Sequence, residues 1–458
     1  MSVSSENIVA RLESVIGAKQ VAADAASCEK YAVDGVVPSA VAAPTSARQA
    51  AEIVDFAKNE KLSLIPCGHR TKLGIGMPPR RYDLALDVTG LNKIAYYDPA
   101  DLTLSVDAGI PLANLAAALA RDQQFLPLAV PFFEQGTVGG TIASGIHSSL
   151  HGSYGSARDF LLGAEFVNGA GTLTKSGGRV VKNVTGYDLH KLLIGSLGTL
   201  AVITRLNFRT FPLPQRSGLL VAAFSAVEAV TQFTAMVAKS PSSPGSFEIL
   251  SPEAAQRVAE VKEDRSSSWF HYGHWHVCIS FEGDDTVLHR YSSDLTMHAQ
   301  RCPTAGHSLL EDDEARKLSA RLREQVANVM QSTPFATIFK ISTLPTFSAD
   351  IVRLRELAER HSITSVVFAN SSGPLYFVLE PSTLNDETVA ALVEISSGVF
   401  GYAATHQGQA SIMFCPAELK RLVNVWGLSR GDASMMWRVK NAFDPQNIFA
   451  PGRFVSGI

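Results

Sequence analysis

Four glycine-rich segments in the first half of the chain constrain its fold more than any other feature. The first follows a short apolar run and reads Pro66-Cys67-Gly68-His69-Arg70-Thr71-Lys72-Leu73. The second is Gly136-Thr137-Val138-Gly139-Gly140-Thr141-Ile142-Ala143-Ser144-Gly145, and the third is Gly155-Ser156-Ala157-Arg158-Asp159-Phe160-Leu161-Leu162-Gly163-Ala164. The fourth is Gly195-Ser196-Leu197-Gly198-Thr199-Leu200-Ala201-Val202-Ile203-Thr204. Glycine lacks a Cβ and tolerates positive φ, so backbone N–H groups in such segments can approach a phosphate closely. The two commonest nucleotide loops are nonetheless missing. No GxGxxG joins a strand to a helix, and GxxxxGK[ST] fails because Leu73 stands where its second glycine belongs. Singly, each segment is a turn or bulge signal; their succession is what informs.

Around them the chain reads as alternating elements. A helix is expected after Pro44-Thr45, with Ala47, Ala50, Ala51, Val54 and Ala57 on one face and Thr45 or Ser46 as cap. Pro111 suits the first turn of a helix through Ala120, and strands are expected at 62–66, 83–88 and 102–106. The character changes near Pro212–Pro214. Beyond that point strands are expected at 218–224, 276–281, 336–342, 364–369, 374–379 and 410–414. Helices are expected at 252–262, 313–330, 349–360, 386–395, 417–425 and 433–443, the last capped by Asp432. This alternation predicts an α+β arrangement, a sheet covered by helices on one face. With ~100–200 residues per domain, the 458 residues divide into an N-terminal segment (1–36), a first domain (37–214), a second (215–425) and a C-terminal helix and tail (426–458).

Composition narrows the function classes. Lys+Arg 40 against Asp+Glu 43 gives a net charge of −3, which offers no electrostatic footprint for nucleic acid or an anionic membrane. Hydrophobic content of 46% with 18% charged residues argues for a packed core. Cys28, Cys67, Cys278, Cys302 and Cys415 are scattered, with no CxxC. That pattern argues against a disulfide framework, a zinc ribbon or a cysteine-held iron–sulfur cluster, and for reduced thiols. Glu6, Arg11 and Glu13 interrupt the N-terminal segment, and no stretch reaches ~18 uncharged apolar residues. The expectation is a cytoplasmic chain without direct membrane insertion.

Taken together, the four segments resemble the FAD-binding domain of the vanillyl-alcohol oxidase and FAD-linked hydroxyacid dehydrogenase superfamily, the PCMH type, over 37–214. Three further strings sharpen the likeness: Arg158-Asp159-Phe160-Leu161-Leu162-Gly163, Gly169-Ala170-Gly171, and Gly177-Gly178-Arg179-Val180-Val181-Lys182-Asn183-Val184-Thr185-Gly186-Tyr187-Asp188-Leu189. They look like the FAD-binding E subunit of bacterial glycolate oxidase. The ending Phe443-Asp444-Pro445-Gln446-Asn447-Ile448-Phe449-Ala450-Pro451-Gly452-Arg453 is similar to the family's tail, which folds back onto the FAD domain. Ala450 departs from it, since relatives commonly carry Asn before that Pro-Gly. The middle, 216–425, matches only in pattern.

The resemblance implies a two-lobed PCMH-type FAD-binding domain, an α+β cap domain and a returning tail. It implies FAD, with Pro66 to Leu73 wrapping the pyrophosphate, where Arg70 and Lys72 would neutralise charge. Gly136, Thr137, Val138, Gly139, Gly140 and Ser144 would run along the flavin and ribityl chain. Gly155, Ser156, Arg158, Asp159, Gly198, Thr199, Leu200, Val202 and Ile203 would line the rest, and Asn183, Gly186, Tyr187 and Asp188 would stand near the isoalloxazine. Some relatives attach FAD covalently to a histidine of the first loop. Here His69 falls one position early and Arg70 occupies that place, so noncovalent FAD is expected.

Oxidising a 2-hydroxy acid requires a group that takes the hydroxyl proton and cations that hold the carboxylate. The HxGDGNxH-type cluster of catalytic relatives is missing, and residues 366–374 read VVFANSSGP. No catalytic residue is assigned on this basis, and no metal is expected. His271, His274 and His276 lack a local acid or fourth histidine, and they read as exposed-face histidines. His147 and His151, four apart in the second segment, could touch flavin or pack a loop. The resemblance implies a FAD-binding subunit of a 2-hydroxyacid (glycolate-type) oxidase, working with a catalytic flavoprotein D-type subunit and an iron–sulfur F-type subunit, and reaching small 2-hydroxyacids through that complex. A non-catalytic assembly scaffold and a free-standing FAD-dependent dehydrogenase remain open alternatives.

Overall fold

The computed structural model describes residues 5–179, 186–240, 246–260, 269–342, 347–370, 373–428 and 431–458. The FAD-type half forms two lobes. In the first, strands Val21–Ala22, Ala40–Ala42, Leu84–Asp87 and Leu64–Cys67 lie in that order, the last three parallel. Helix Ala47–Asn59 makes the crossover between parallel strands. It starts where Ser46 accepts a hydrogen bond from Gln49 N at 3.2 Å, and it buries Ala50, Ile53, Val54 and Ala57, the stripe its sequence presents. In the second lobe, antiparallel strands Ile94–Asp98, Thr103–Asp107, Ala201–Arg209, Leu161–Asn168 and Leu173–Gly177 form one sheet.

The cap half is an eight-stranded antiparallel sheet. Its order is Thr304–Glu311, Arg216–Phe224, Trp275–Gly283, Ser246–Leu250, Thr364–Asn370, Leu375–Glu380, Thr337–Ser342 and Gln409–Phe414. Helices Val227–Ala238, Asp285–Arg301, Phe347–Glu359 and Asp386–Thr405 bury one face. Helices Pro252–Ala259, Asp312–Arg323 and Gln325–Ser332 share the other with Ile75, Ile146 and Leu197 of the FAD-type half. The sheet therefore has helices on both faces rather than one. The α+β class and the two-lobed arrangement hold.

Long-range contacts explain where the elements differ from expectation. The helix expected over 313–330 breaks at Glu324, whose carboxylate accepts the backbone N–H groups of Phe132 (2.7 Å) and Phe133 (3.2 Å) across the domain boundary. The helix expected over 417–425 stops at Lys420. Its buried ammonium donates to Asp34 at 2.8 Å and to Gly74 O at 2.6 Å. Helix Asp386–Thr405 runs ten residues beyond 395, and its small residues pack inside it: Ser396 Oγ donates to Leu392 O at 2.6 Å, and Gly398 abuts Leu357. By length and composition this helix could cross a membrane, yet Leu392, Ile395, Val399 and Ala403 bury into the cap core.

The tail returns to the FAD-type half. Helix Ala433–Phe443 ends on a wholly buried ion pair, Lys440 Nζ to Asp444 Oδ2 at 2.7 Å. The same ammonium donates to Thr199 O and Phe449 O, and Asp444 accepts from Ile448 N and Phe449 N. Removing one partner of such a pair strands a buried charge and costs about 3–5 kcal/mol. Lys440→Met is accordingly expected to lose a large part of the folding free energy in urea unfolding followed by circular dichroism. A loss below ~1 kcal/mol would contradict this reading of the tail.

Candidate functional site

Strand Leu64–Cys67 delivers the chain into the first glycine loop, and the second and fourth segments close on that loop. A Cβ on Gly68 would meet Thr137 Oγ1 at 2.2 Å, and one on Gly198 would meet Pro66 Cδ at 3.2 Å. The first, second and fourth segments thus touch through the space where side chains would stand. They enclose an open cleft of about 730 Å³, lined by all of Pro66 to Leu73 with Thr137, Gly139, Gly140, Ser144, Gly198 and Ile203.

The electrostatics of the cleft suit an anion. Among the described residues, the backbone N–H groups of Gly68, His69, Arg70, Thr71 and Lys72 have no hydrogen-bond partner, leaving five donors in succession. Lys72 is buried, with Nζ 3.1 Å from Thr71 Oγ1, 5.2 Å from the centre of the Phe132 ring, and in no ion pair. A Cβ on Gly136 would stand 3.0 Å from that ammonium, so this glycine leaves it room. Burial lowers the Lys72 pKa to about 8, while nearby Glu324 raises it. Arg453, 3% exposed, donates to Leu73 O and to Ile75 O (2.6 Å), while its Nε has no partner. A nest of free amides, an unpaired buried ammonium and a partly unsatisfied guanidinium fit a diphosphate group. When bound, FAD would supply the two-electron acceptor, and these residues would anchor it. Arg70 is committed elsewhere: at φ +63° its guanidinium lies 4.4 Å from the Tyr31 ring centre and 3.4 Å from Asp87.

Other expected residues lie off the cleft lining. Val138, Leu200 and Val202 pack into cores, and Thr199 O is taken by Lys440. Alternation along Ala201–Arg209 explains the last segment, because Ala201 and Ile203 face the cleft while Val202 faces away. Ser156 and Asp159 form a capping box that starts helix Ala157–Phe160, with Gly155 and Arg158 beside it. Tyr187 is 90% exposed, Asp188 pairs with Lys191 at 2.8 Å, and Gly186 stands next to them. Asn183 lies outside the described residues. The cleft adds Ile75, Val88, Ala108, Ala143, Leu197, Ala201 and Arg453. All but Val88 and Ala108 sit within, or two residues beyond, the strings quoted above.

The histidines also resolve. His276 is fully buried rather than on an exposed face: its Nε2 accepts from His271 N at 2.9 Å and its ring lies 5.0 Å from Phe270. His274 precedes the strand and bonds Tyr272 O. Among the described residues, no three His, Cys, Asp or Glu side chains gather as metal ligands. The His147 and His151 rings lie 4.8 Å apart, and His147 lines a separate cavity with Glu248 and Asn370. Ala450 is buried at φ +43° among Cys28, Val33, Ile65 and Tyr82, so the departure from Asn falls on a left-handed backbone position in an apolar cluster.

The cofactor cleft shares Ile75, Ser144 and Leu197 with a larger cleft of about 750 Å³ between the FAD-type half and the cap sheet. Because Lys72 loses its charge as pH rises through about 8, FAD affinity of the stripped protein is expected to fall above that pH. Lys72→Met should weaken binding about tenfold and flatten this dependence, read by fluorescence quenching of added FAD.

Residues 38–177 match the family model of the FAD binding domain, and residues 213–410 with 426–454 match that of the FAD linked oxidases, C-terminal domain. The chain is 23% identical to glycolate oxidase subunit GlcD of Bacillus subtilis over 421 residues, 91% of this chain and 89% of that relative. It is 37% identical to glycolate oxidase subunit GlcE of Escherichia coli over 182 residues, 40% of this chain and 51% of that one. Among solved structures, p-cresol methylhydroxylase with substrate bound is similar at TM-score 0.78 and 16% identity, covering 98% of this chain and 96% of the other. The 4-ethylphenol oxidase from Gulosibacter chungangensis is similar at TM-score 0.77 and 16% identity, covering 99% and 98%. At that identity the likeness concerns the fold. With both family domains present in order, the chain belongs to the FAD linked oxidases and is a FAD-dependent oxidoreductase.

Proposed function

We propose that this chain is the FAD-binding subunit of a 2-hydroxyacid dehydrogenase of the glycolate oxidase type, that it holds FAD noncovalently, and that it passes electrons to other subunits. The observation that carries this reading is that the cofactor cleft and the interdomain cleft share Ile75, Ser144 and Leu197 as a common wall. Two relatives named as glycolate oxidase subunits support the assembly. Its partners in this reading are a D-type flavoprotein and an F-type iron–sulfur protein. All five cysteines here are buried and unpaired, so a thiolate-held cluster would have to sit on another chain. The chain acts in the cytoplasm, with membrane association made through its partners.

The first loop argues for noncovalent attachment. Cys67 is buried, its thiol is pushed up by desolvation, and it donates to Leu86 O, leaving no reactive thiolate. The imidazole of His69 is engaged through Nδ1 with Gln135 O at 2.7 Å. Acid precipitation of the purified chain is expected to release a yellow supernatant. Colour retained in the pellet would contradict noncovalent binding, and a colourless protein that takes up no FAD would leave the scaffold reading in its place.

A further inference from the structure

The interdomain cleft has one polar corner and long apolar walls. Strands Thr337–Ser342 and Gln409–Phe414 pair so that Lys340 lies opposite Ser411 and Ser342 opposite Gln409, and Tyr376 of Leu375–Glu380 is the other neighbour of Lys340. All five line the cleft, on the sheet face turned to the FAD-type half. Away from them the walls are Phe400, Leu428, Met436, Trp426, Phe454 and Leu197. Lys340 is the one charged side chain lining the cleft among the described residues, and no carboxylate there lies within ion-pair distance of it. Burial pulls its pKa down, as for an ammonium held from water without a counter-ion. His147, close enough to feel that charge, is itself lowered to about 4, by burial first, and adds no second cation near neutral pH.

Size decides the rest. Pockets for drug-sized ligands run to about 300–1,000 Å³, and this cleft, at about 750 Å³, falls within that range. A two- or three-carbon hydroxy acid would fill only the polar corner and leave the aromatic walls in water. From this geometry we infer that the substrate is a bulky, mostly apolar monocarboxylate, a medium-chain or aryl 2-hydroxy acid, with its carboxylate on Lys340 and its body along Leu197, Trp426 and Met436. The inference rests on the proposed dehydrogenase function for the choice of a hydroxy acid; binding of the carboxylate is independent of it.

The test is calorimetric titration of the FAD-loaded chain with acetate, hexanoate, octanoate and 3-phenylpropionate, which carry no hydroxyl to oxidise. Affinity is expected to rise about fourfold per buried methylene. Octanamide should bind at least tenfold more weakly than octanoate. Lys340→Met should abolish that preference and Lys340→Arg restore most of it, with flavin content confirming the fold of both. Ala404→Trp, at the cleft mouth, should weaken octanoate but not acetate. Equal binding across the chain-length series, or of octanamide and octanoate, would overturn the inference. Anaerobic bleaching of the flavin separates the two readings. If glycolate bleaches it and octanoate does not bind, the bulky substrate is wrong and the dehydrogenase stands. If octanoate binds and 2-hydroxyoctanoate leaves the flavin oxidised, the carboxylate site stands while oxidation at this chain's own flavin is overturned, which leaves that step to the D-type partner.

Discussion

The buried pair of Lys440 and Asp444 sets the position of the whole C-terminal tail, and the tail in turn completes the cofactor cleft. Asp444 accepts from Ile448 N and Phe449 N, which turns the chain alongside a parallel strand of the first lobe. Along strand Leu64–Cys67, Leu64 N donates to Ile448 O at 2.8 Å and Ala450 N donates to Leu64 O at 2.9 Å. Three residues later Arg453 grips the carbonyls of Leu73 and Ile75, at the far end of the glycine loop. One ion pair thus fixes both ends of that loop relative to the strand that launches it. Two charges this deep are tolerable because every strong hydrogen-bonding direction of Lys440 is taken.

A second set of charges holds the cap to the FAD-type half. Glu324 takes two backbone N–H groups of the first domain, and Lys420 reaches back to Asp34 and to Gly74 O, beside the glycine loop. Both side chains interrupt what would otherwise be longer helices. The interface they make leaves part of the cap sheet's inner face open to the interdomain cleft, where Lys340 stands. Buried cations paired with carboxylates hold the halves together, while Lys72 and Lys340 are in no ion pair among the described residues.

What could be read from the sequence follows from how local each signal is. The first loop is eight consecutive residues and all eight line the cleft, since a nest of amides is a property of one turn. The fourth segment was legible only in part: its glycines marked the turn, but strand alternation sends Ala201 and Ile203 to the cleft and Val202 to the core. Ser156 and Asp159 show how a polar, glycine-flanked string can serve a helix start instead of a ligand. Arg453 and Lys340 were illegible as site residues because their roles arise from chain returning over hundreds of positions. In the cap, Thr304–Glu311 escaped notice as a strand because it is an edge with Gly306 inside and mostly half-exposed residues. The helix breaks at Glu324 and Lys420 are tertiary contacts that propensity does not carry.

The central claim is that the glycine loop and the returning tail together hold the cofactor. Hydrogen–deuterium exchange on the protein stripped of FAD and then reloaded tests it most directly. The account predicts slowed exchange on reloading at the amides of Gly68 to Lys72 and, through Arg453, along 448–454. Protection of the cap sheet alone, or no change in the glycine loop, would contradict it.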